Sequence, residues 1–130
     1  AQLGEWVQQA REGCIQKNRK KVGDMQIGKV LSHSPIGKDN IWPHEAVRDI
    51  LERYESIDLE LGIETGLLNQ RGVTSRSSGE GGKQERELAE KYEQQADKIK
   101  YNWPRTAAML MRIAKSYKHE ARFWDRQLLT

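Results

Sequence analysis

Residues 103–128 read WPRTAAMLMRIAKSYKHEARFWDRQL, and this stretch decides the fold class. Its apolar residues recur every three or four positions, which is the spacing of one face of a helix. Pro104 suits the first helical turn, where a missing N–H leaves no hydrogen bond unmade, and Asn102 is the candidate N-cap. The sequence therefore predicts a long C-terminal helix. Its apolar stripe comprises Ala107, Leu110, Ile113, Ala114, Tyr117, Ala121, Trp124 and Leu128.

Four further segments show the helical spacing, and residues that start or stop helices lie near their ends. Gly23 is the expected end of the first segment. Pro43 is expected in the first turn of the third. Gly62 and Gly66 lie four residues apart, so they indicate either a close helix crossing or a hinge, or else a bend or break near Leu61. The predicted helices cover residues 2–22, 24–33, 42–69 and 83–101.

Two segments lack the helical spacing and are rich in turn-forming residues. Residues 34–40 are one, and residues 70–82, with four glycines and three serines, are the other. We therefore expect an all-α fold, an irregular bundle of four to five helices with one Gly/Ser-rich central loop, in a single helical domain over residues 1–130. The expected core comprises Leu3, Trp6, Val47, Ile50, Leu51, Tyr54, Leu88, Tyr92, Ile99, Leu110, Ile113, Tyr117 and Trp124.

The composition excludes several classes of protein. Of 130 residues, 32% are charged and the mean hydropathy is −0.87, and no stretch approaches the ~18 consecutive apolar residues of a membrane span. Cys14 is the only cysteine, which excludes a disulfide framework. With no secretory signal visible, we expect a soluble, cytoplasmic protein without membrane contact. The net charge of +3 is uneven, with −5 over residues 42–70 and +4 over residues 103–130.

No residue pattern indicates a metal, a cofactor or a catalytic nucleophile. The three histidines and Cys14 form none of the short ligand spacings of a zinc or di-iron site. Gly-x-Ser-x-Gly is absent, and the glycines before Lys83 lack the spacing of a Walker loop and follow no predicted strand. We therefore predict no metal site and no small-molecule cofactor.

Basic residues are the best candidates for binding. Arg71 and Arg76 flank a loop that runs into a helix N-terminus. Their guanidinium groups and the free N–H groups of that terminus would hold an anion, although ordinary surface arginines are an alternative. Three residues of the last helix join them. The predicted anion- or partner-binding set is Arg71, Arg76, Lys83, Arg105, Arg112 and Lys115.

Arg112 and His119 lie seven residues apart, so both are on one face of the last helix. This spacing resembles the Arg-x(4–6)-His motif of the HEPN family, whose members are all-α nucleases. The resemblance implies that these two residues supply the base and the cation of RNA cleavage. It covers only these two positions, and Ile113 stands where the family usually has a polar residue.

Residues 42–122 also resemble uncharacterised bacterial helical segments. The similarity lies in the Trp-Pro-Arg-Thr-Ala helix start at residues 103–107 and in the Ile-Ala-x-Ser-Tyr-x-x-Glu-Ala run at residues 113–121. Such segments often end longer proteins and have no assigned activity. The resemblance implies that this chain is a domain of a longer protein and not a whole protein.

We therefore expect a non-catalytic helical module for protein interaction or regulation, either an accessory domain of a larger bacterial protein or a small subunit. Four tryptophans and the separated charges support this function. The partner would be another protein or a second copy of the chain. A helical nucleic-acid-binding domain is the first alternative, and a HEPN-like ribonuclease is the second.

Overall fold

The computed structural model describes residues 2–16, 19–72 and 74–129. These residues form six helices and no strand, so the all-α class is confirmed, but the helices number six instead of the expected four to five. None of these six is both long enough and apolar enough to cross a bilayer. They are α1 (Gln2–Gln16), α2 (Lys20–Leu31), α3 (Glu45–Tyr54), α4 (Ile57–Gln70), α5 (Lys83–Ile99) and α6 (Pro104–Gln127).

The chain divides into two compact units. Residues 1–70 contain α1 to α4, and residues 71–130 contain α5 and α6. The described residues between α4 and α5 are neither helix nor strand. The single domain expected over residues 1–130 stays a prediction.

The predicted helix over residues 42–69 is two helices, because the chain turns at Glu55 and Ser56. Glu55 has left-handed backbone angles (φ 49°, ψ 42°), which end α3. The Ser56 hydroxyl accepts a hydrogen bond from the Leu59 amide at 3.2 Å and donates one to buried Asp24 at 2.6 Å. The break between the two helices is therefore stabilised by a residue that is distant in the sequence. No proline or glycine lies at the break.

The first two helices also differ from the prediction. α1 and α2 lie on either side of residues 17 and 18, where the predicted continuation of the first helix falls outside the described residues. Gly23 does not end a helix, because it is buried inside α2. An added Cβ there would collide with the Sγ atom of Cys14. This glycine therefore allows close packing on Cys14 and does not act as a helix stop.

α2 and α4 cross closely through facing glycines. An added Cβ on Gly28 would lie 2.8 Å from the Cα atom of Gly62 and would collide with the carbonyl oxygen of Leu59. α4 continues as a helix through Gly62, with no break near Leu61. The structure thus confirms the close-crossing interpretation of these glycines and excludes the break.

Arg48 is fully buried in α3 and fixes the loop that precedes this helix. Its guanidinium donates to both Asp39 carboxylate oxygens at 2.8 Å, to the Pro43 carbonyl at 2.7 Å and to the Ile41 carbonyl at 2.6 Å. The hydrogen bonds from Arg48 lower the pKa of Asp39 to about 2. Pro43 lies before α3 and not in its first turn, because His44 is the N-cap.

α5 and α6 form an antiparallel helical hairpin. Tyr92 of α5 stacks on Tyr117 of α6, with ring centroids 6.0 Å apart, and burial raises the pKa of Tyr92 to about 12. Pro104 begins α6 as predicted. The N-cap is Trp103 and not Asn102, because the Trp103 carbonyl accepts the first hydrogen bond of α6, from the amide of Ala107 at 2.9 Å.

Most of the predicted core is buried. Trp6 is 42% exposed, whereas the adjacent Val7 is fully buried, so Trp6 does not belong to the core. Four others, Leu3, Tyr54, Leu88 and Trp124, are partly buried. The confirmed core residues are Val47, Ile50, Leu51, Tyr92, Ile99, Leu110, Ile113 and Tyr117.

Gly28→Ala will destabilise the first unit by about 1–3 kcal/mol, because the added Cβ meets the backbone of α4 and not a flexible side chain. Gly13→Ala is the matched control. An added Cβ on Gly13, which lies in α1, has nothing within 4 Å, so this change should stabilise by up to about 1 kcal/mol. Urea unfolding followed by circular dichroism measures both variants. Equal changes in the free energy of unfolding for Gly28→Ala and Gly13→Ala would contradict the close crossing of α2 and α4.

Candidate functional site

Two of the predicted binding residues, Arg71 and Arg76, turn toward the same carboxylate. Arg76 donates to both oxygens of Glu85, from Nη1 to Oε1 at 2.6 Å and from Nη2 to Oε2 at 2.7 Å. The Nη2 atom of Arg71 lies 2.5 Å from Oε2 of the same group. Glu85 is fully buried in the first turn of α5. The predicted anion-binding arginines therefore bind a carboxylate of the chain itself.

Glu85 remains charged because two guanidinium groups offset its burial. Burial alone would raise the pKa of this carboxyl group, but the hydrogen bonds from Arg76 and Arg71 outweigh that effect and hold the pKa below its usual range. The guanidinium carbon of Arg76 also lies 4.0 Å from a ring centroid of Trp124, and Nη1 donates to the Gly81 carbonyl at 3.0 Å. This cluster ties the loop to both helices of the hairpin.

The N-terminus of α5 meets a second carboxylate of the chain. The amide of Gly82, the N-cap, donates to Asp125 at 2.9 Å, and Arg86 donates to the other oxygen at 2.6 Å. Gly82 permits this approach, since an added Cβ would lie 2.5 Å from the Cα atom of Ala121. An external anion at the predicted site would therefore compete with two internal carboxylates, Glu85 and Asp125.

The other predicted residues lie along α5 and α6 and do not converge on the Glu85 cluster. Lys83 is exposed at the first position of α5, and Lys115 is exposed on α6. Arg105 and Arg112 are partly buried, and each interacts with other residues. His119 is exposed on α6, so the nuclease hypothesis, which depends on its spacing from Arg112, stays a prediction. Within the described ranges, no group of three His, Cys, Asp or Glu could hold a metal ion.

An open groove runs along the seam between α5 and α6, and we call it the hairpin groove. It consists of three depressions of about 810, 350 and 420 Å³. Glu93 lines all three, Met111 lines the first two and Lys118 lines the last two. Because neighbouring depressions share lining residues, the groove is continuous along the hairpin.

The end of the groove near the α5–α6 turn is mostly apolar on its α6 side, and we call it the apolar half. Met111 there is 48% exposed. Asp97 and Lys100 lie at the rim and pair with each other at 2.8 Å. Binding sites are usually found in depressions of this size with apolar residues along their walls. The apolar residues that line this half are Ala96, Pro104, Ala107, Ala108 and Met111.

The remainder of the groove carries an excess of positive charge, and we call it the basic half. Five Lys and Arg line it against two carboxylates, Glu90 and Glu93, for a net charge of +3. Lys118 forms an ion pair with Glu93. Lys115 and Arg122 are exposed. The basic residues of this half are Arg86, Arg112, Lys115, Lys118 and Arg122.

Ala108 and Met111 were not predicted as site residues, because the sequence reasoning followed only the main apolar stripe of α6. Together with Pro104 they form a second, shorter row at spacings of four and three. That row is a signal present in the sequence, although its exposure depends on how α6 packs against α5.

No protein-family model, curated protein or solved structure matches this chain. Its function therefore has to be inferred from the geometry of the hairpin and from the chemistry of the groove.

Glu85→Ala will destabilise the second unit by about 3–5 kcal/mol, because it removes the carboxylate that both largely buried arginines, Arg71 and Arg76, bind, and leaves Arg71 only the more distant Glu120 at 3.6 Å. Glu87→Ala is the control, since Glu87 is exposed two residues later on α5 and its loss should change stability by about 0.5 kcal/mol or less. Urea unfolding of the full chain, followed by tryptophan fluorescence, measures both. A small effect at Glu85 would show that the two arginines find other partners.

The second unit will also lose stability in acid. The pKa of Glu85 is lower in the folded chain than its usual value of 4.5, so the unfolded chain binds more protons in this range. The stabilisation is present above that value and is lost as the pH falls through the folded pKa. Glu85→Gln removes this contribution, so the urea midpoint of the variant should fall less between about pH 5 and pH 3 than that of the unmodified chain. An equal fall in the urea midpoint of both chains over this pH range would show that Glu85 does not cause the loss of stability.

Proposed function

We propose that this chain is a non-catalytic protein-interaction module that holds a partner in the hairpin groove. The observation that carries the proposal is the exposed apolar half on a chain in which 32% of residues are charged. Met111 and Ala108 are exposed there beside a depression of about 810 Å³. A partner that covers this surface removes apolar area from water, and the free energy falls as a result.

The main polar clusters support the fold, and this favours a non-catalytic function. Arg71 and Arg76 are turned inward onto Glu85, and Arg48 is enclosed by Asp39 and backbone carbonyl groups. A catalytic acid, base or cation has to reach a substrate. These charged groups are engaged by partners within the chain, whereas the groove is open to a partner from solution.

A nucleic-acid-binding domain is the second candidate, and the charge of the second unit favours it. Residues 71–130 contain thirteen Lys and Arg and eight Asp and Glu, for a net charge of +5. Lys115 and Arg122 would contact phosphates from the basic half. The apolar half, however, carries no net positive charge, since Lys98 and Lys100 are balanced there by Glu93 and Asp97. Glu90 and Glu93 would also repel a phosphate backbone. A protein partner therefore fits the whole groove better.

A photocrosslinking amino acid in place of Ala108 tests the proposal. Benzoylphenylalanine at this position would extend into the apolar half, so irradiation of cells that express the chain should join it to a protein partner. The same residue in place of Glu87, which is exposed on α5 outside the groove, is the control. Gel mobility followed by mass spectrometry identifies the adduct.

The adduct at position 108 should be lost when Met111→Glu is added, because a charge in the apolar half opposes burial. Equal adducts at positions 108 and 87 would indicate random collisions and contradict the proposal. An adduct with RNA alone would favour the second candidate. The absence of any adduct at position 108 would show that no partner occupies the groove under those conditions, against the proposal.

A further inference from the structure

We infer that the occupant of the hairpin groove is an amphipathic helix with apolar residues toward one end and acidic residues toward the other. This inference rests on the proposed function and names the chemistry of the partner. Two properties of the groove lead to it: its length, and its change from apolar to basic along that length.

The groove presents one row of α6 side chains at helical spacing. The distance from the first to the last member of the row is about 27 Å, at about 1.5 Å per residue. A partner helix of about 19 residues spans it, with anchoring side chains at every third or fourth position. The row consists of Pro104, Ala108 and Met111 in the apolar half, and of Lys115, Lys118 and Arg122 in the basic half.

The basic half determines the charge of the partner. Five basic residues line it against two carboxylates, and two of the five, Arg86 and Lys118, are already paired with Asp125 and Glu93. Lys115 and Arg122 are exposed, so carboxylates placed opposite them would form new ion pairs, whereas basic groups would be repelled. Aliphatic side chains such as leucine fit the apolar half, because burying them there desolvates no charge. One end of the partner is therefore acidic and the other apolar.

A second copy of this chain fits the groove poorly. In a two-fold symmetric pair, the same surface of each copy meets the other. Grooves packed antiparallel would place the basic half of one copy on the apolar half of the other, and grooves packed parallel would place basic on basic. The first arrangement buries charge without a partner and the second sets like charges together. A distinct acidic helix avoids both conflicts.

Synthetic helical peptides test the inference on the full chain. Two labelled peptides of about 19 residues carry three leucines and three glutamates in the spacing of the α6 row. One begins with the leucines and the other with the glutamates, because a helix can lie in the groove in either direction. Their counterparts carry lysine in place of glutamate. Fluorescence anisotropy at ~50 mM salt should show at least one glutamate peptide binding about tenfold more tightly than its counterpart.

Lys115→Glu combined with Arg122→Glu reverses the charge of the basic half and should reverse this preference. Lys91→Glu combined with Arg126→Glu makes the same change in net charge at exposed positions outside the groove, so the preference should be unchanged. Circular dichroism checks that the variants fold. Lys115→Glu alone should give a smaller shift in the same direction as the double change.

Equal binding of glutamate and lysine peptides, unaffected by the charge reversal, would overturn the acidic partner and leave the apolar half as a docking site. Binding of no peptide at ~1 mM would overturn the inference, and the photocrosslink at position 108 would then decide the proposed function separately. If a single-stranded RNA binds more tightly than every peptide, and this binding is lost in the charge-reversed variant, the inference of a helical partner would be overturned in favour of a nucleic acid.

Discussion

A charge removed from water must be paired, and this constraint organises both units of the chain. In the first unit, buried Arg48 is enclosed by Asp39 and by backbone carbonyl groups. In the second, buried Glu85 binds Arg71 and Arg76. Forming such a pair contributes little net free energy, but breaking it leaves one charge buried alone, at a cost of several kcal/mol, about 3–5. The pairs therefore decide where the neighbouring loops lie.

The loops follow from the same constraint. Residues 71–82 carry few apolar side chains that burial would stabilise, yet Arg76 joins the loop to α5 through Glu85 and to α6 through Trp124. A loop anchored by ion pairs and hydrogen bonds needs little apolar area to offset the entropy lost on ordering it. Its last residues also pack against the C-terminal part of α6, where Gly82 meets Asp125. That end of the hairpin lies opposite the turn, so the loop leaves the apolar half uncovered.

The helices were predictable because their apolar spacing is local, whereas the breaks and the buried charges were not. The stripe through Leu110 and Tyr117 predicted α6 and its buried face. The end of α3 at Glu55 depends on Ser56 and its bond to Asp24, which lies 32 residues earlier, and no local signal marks it. Glu85 is likewise one of several glutamates in α5, and its charge by itself predicts exposure. Only the pairing of elements shows which glutamate is buried.

The hairpin groove illustrates why a contact surface is hard to recognise from one helix. α6 has a main apolar stripe and a second row that begins with Pro104, Ala108 and Met111, and in the sequence the two merge into one wide arc that resembles core. Packing against α5 buries the first stripe and leaves the second row open. Lys115 and Arg122 continue this row, so one end of the groove is apolar and the other is basic. Because the loop arginines are engaged by an internal carboxylate, the outward row is what a partner can reach. The proposed function in recognition depends on this exposed row and on its change from apolar to basic side chains.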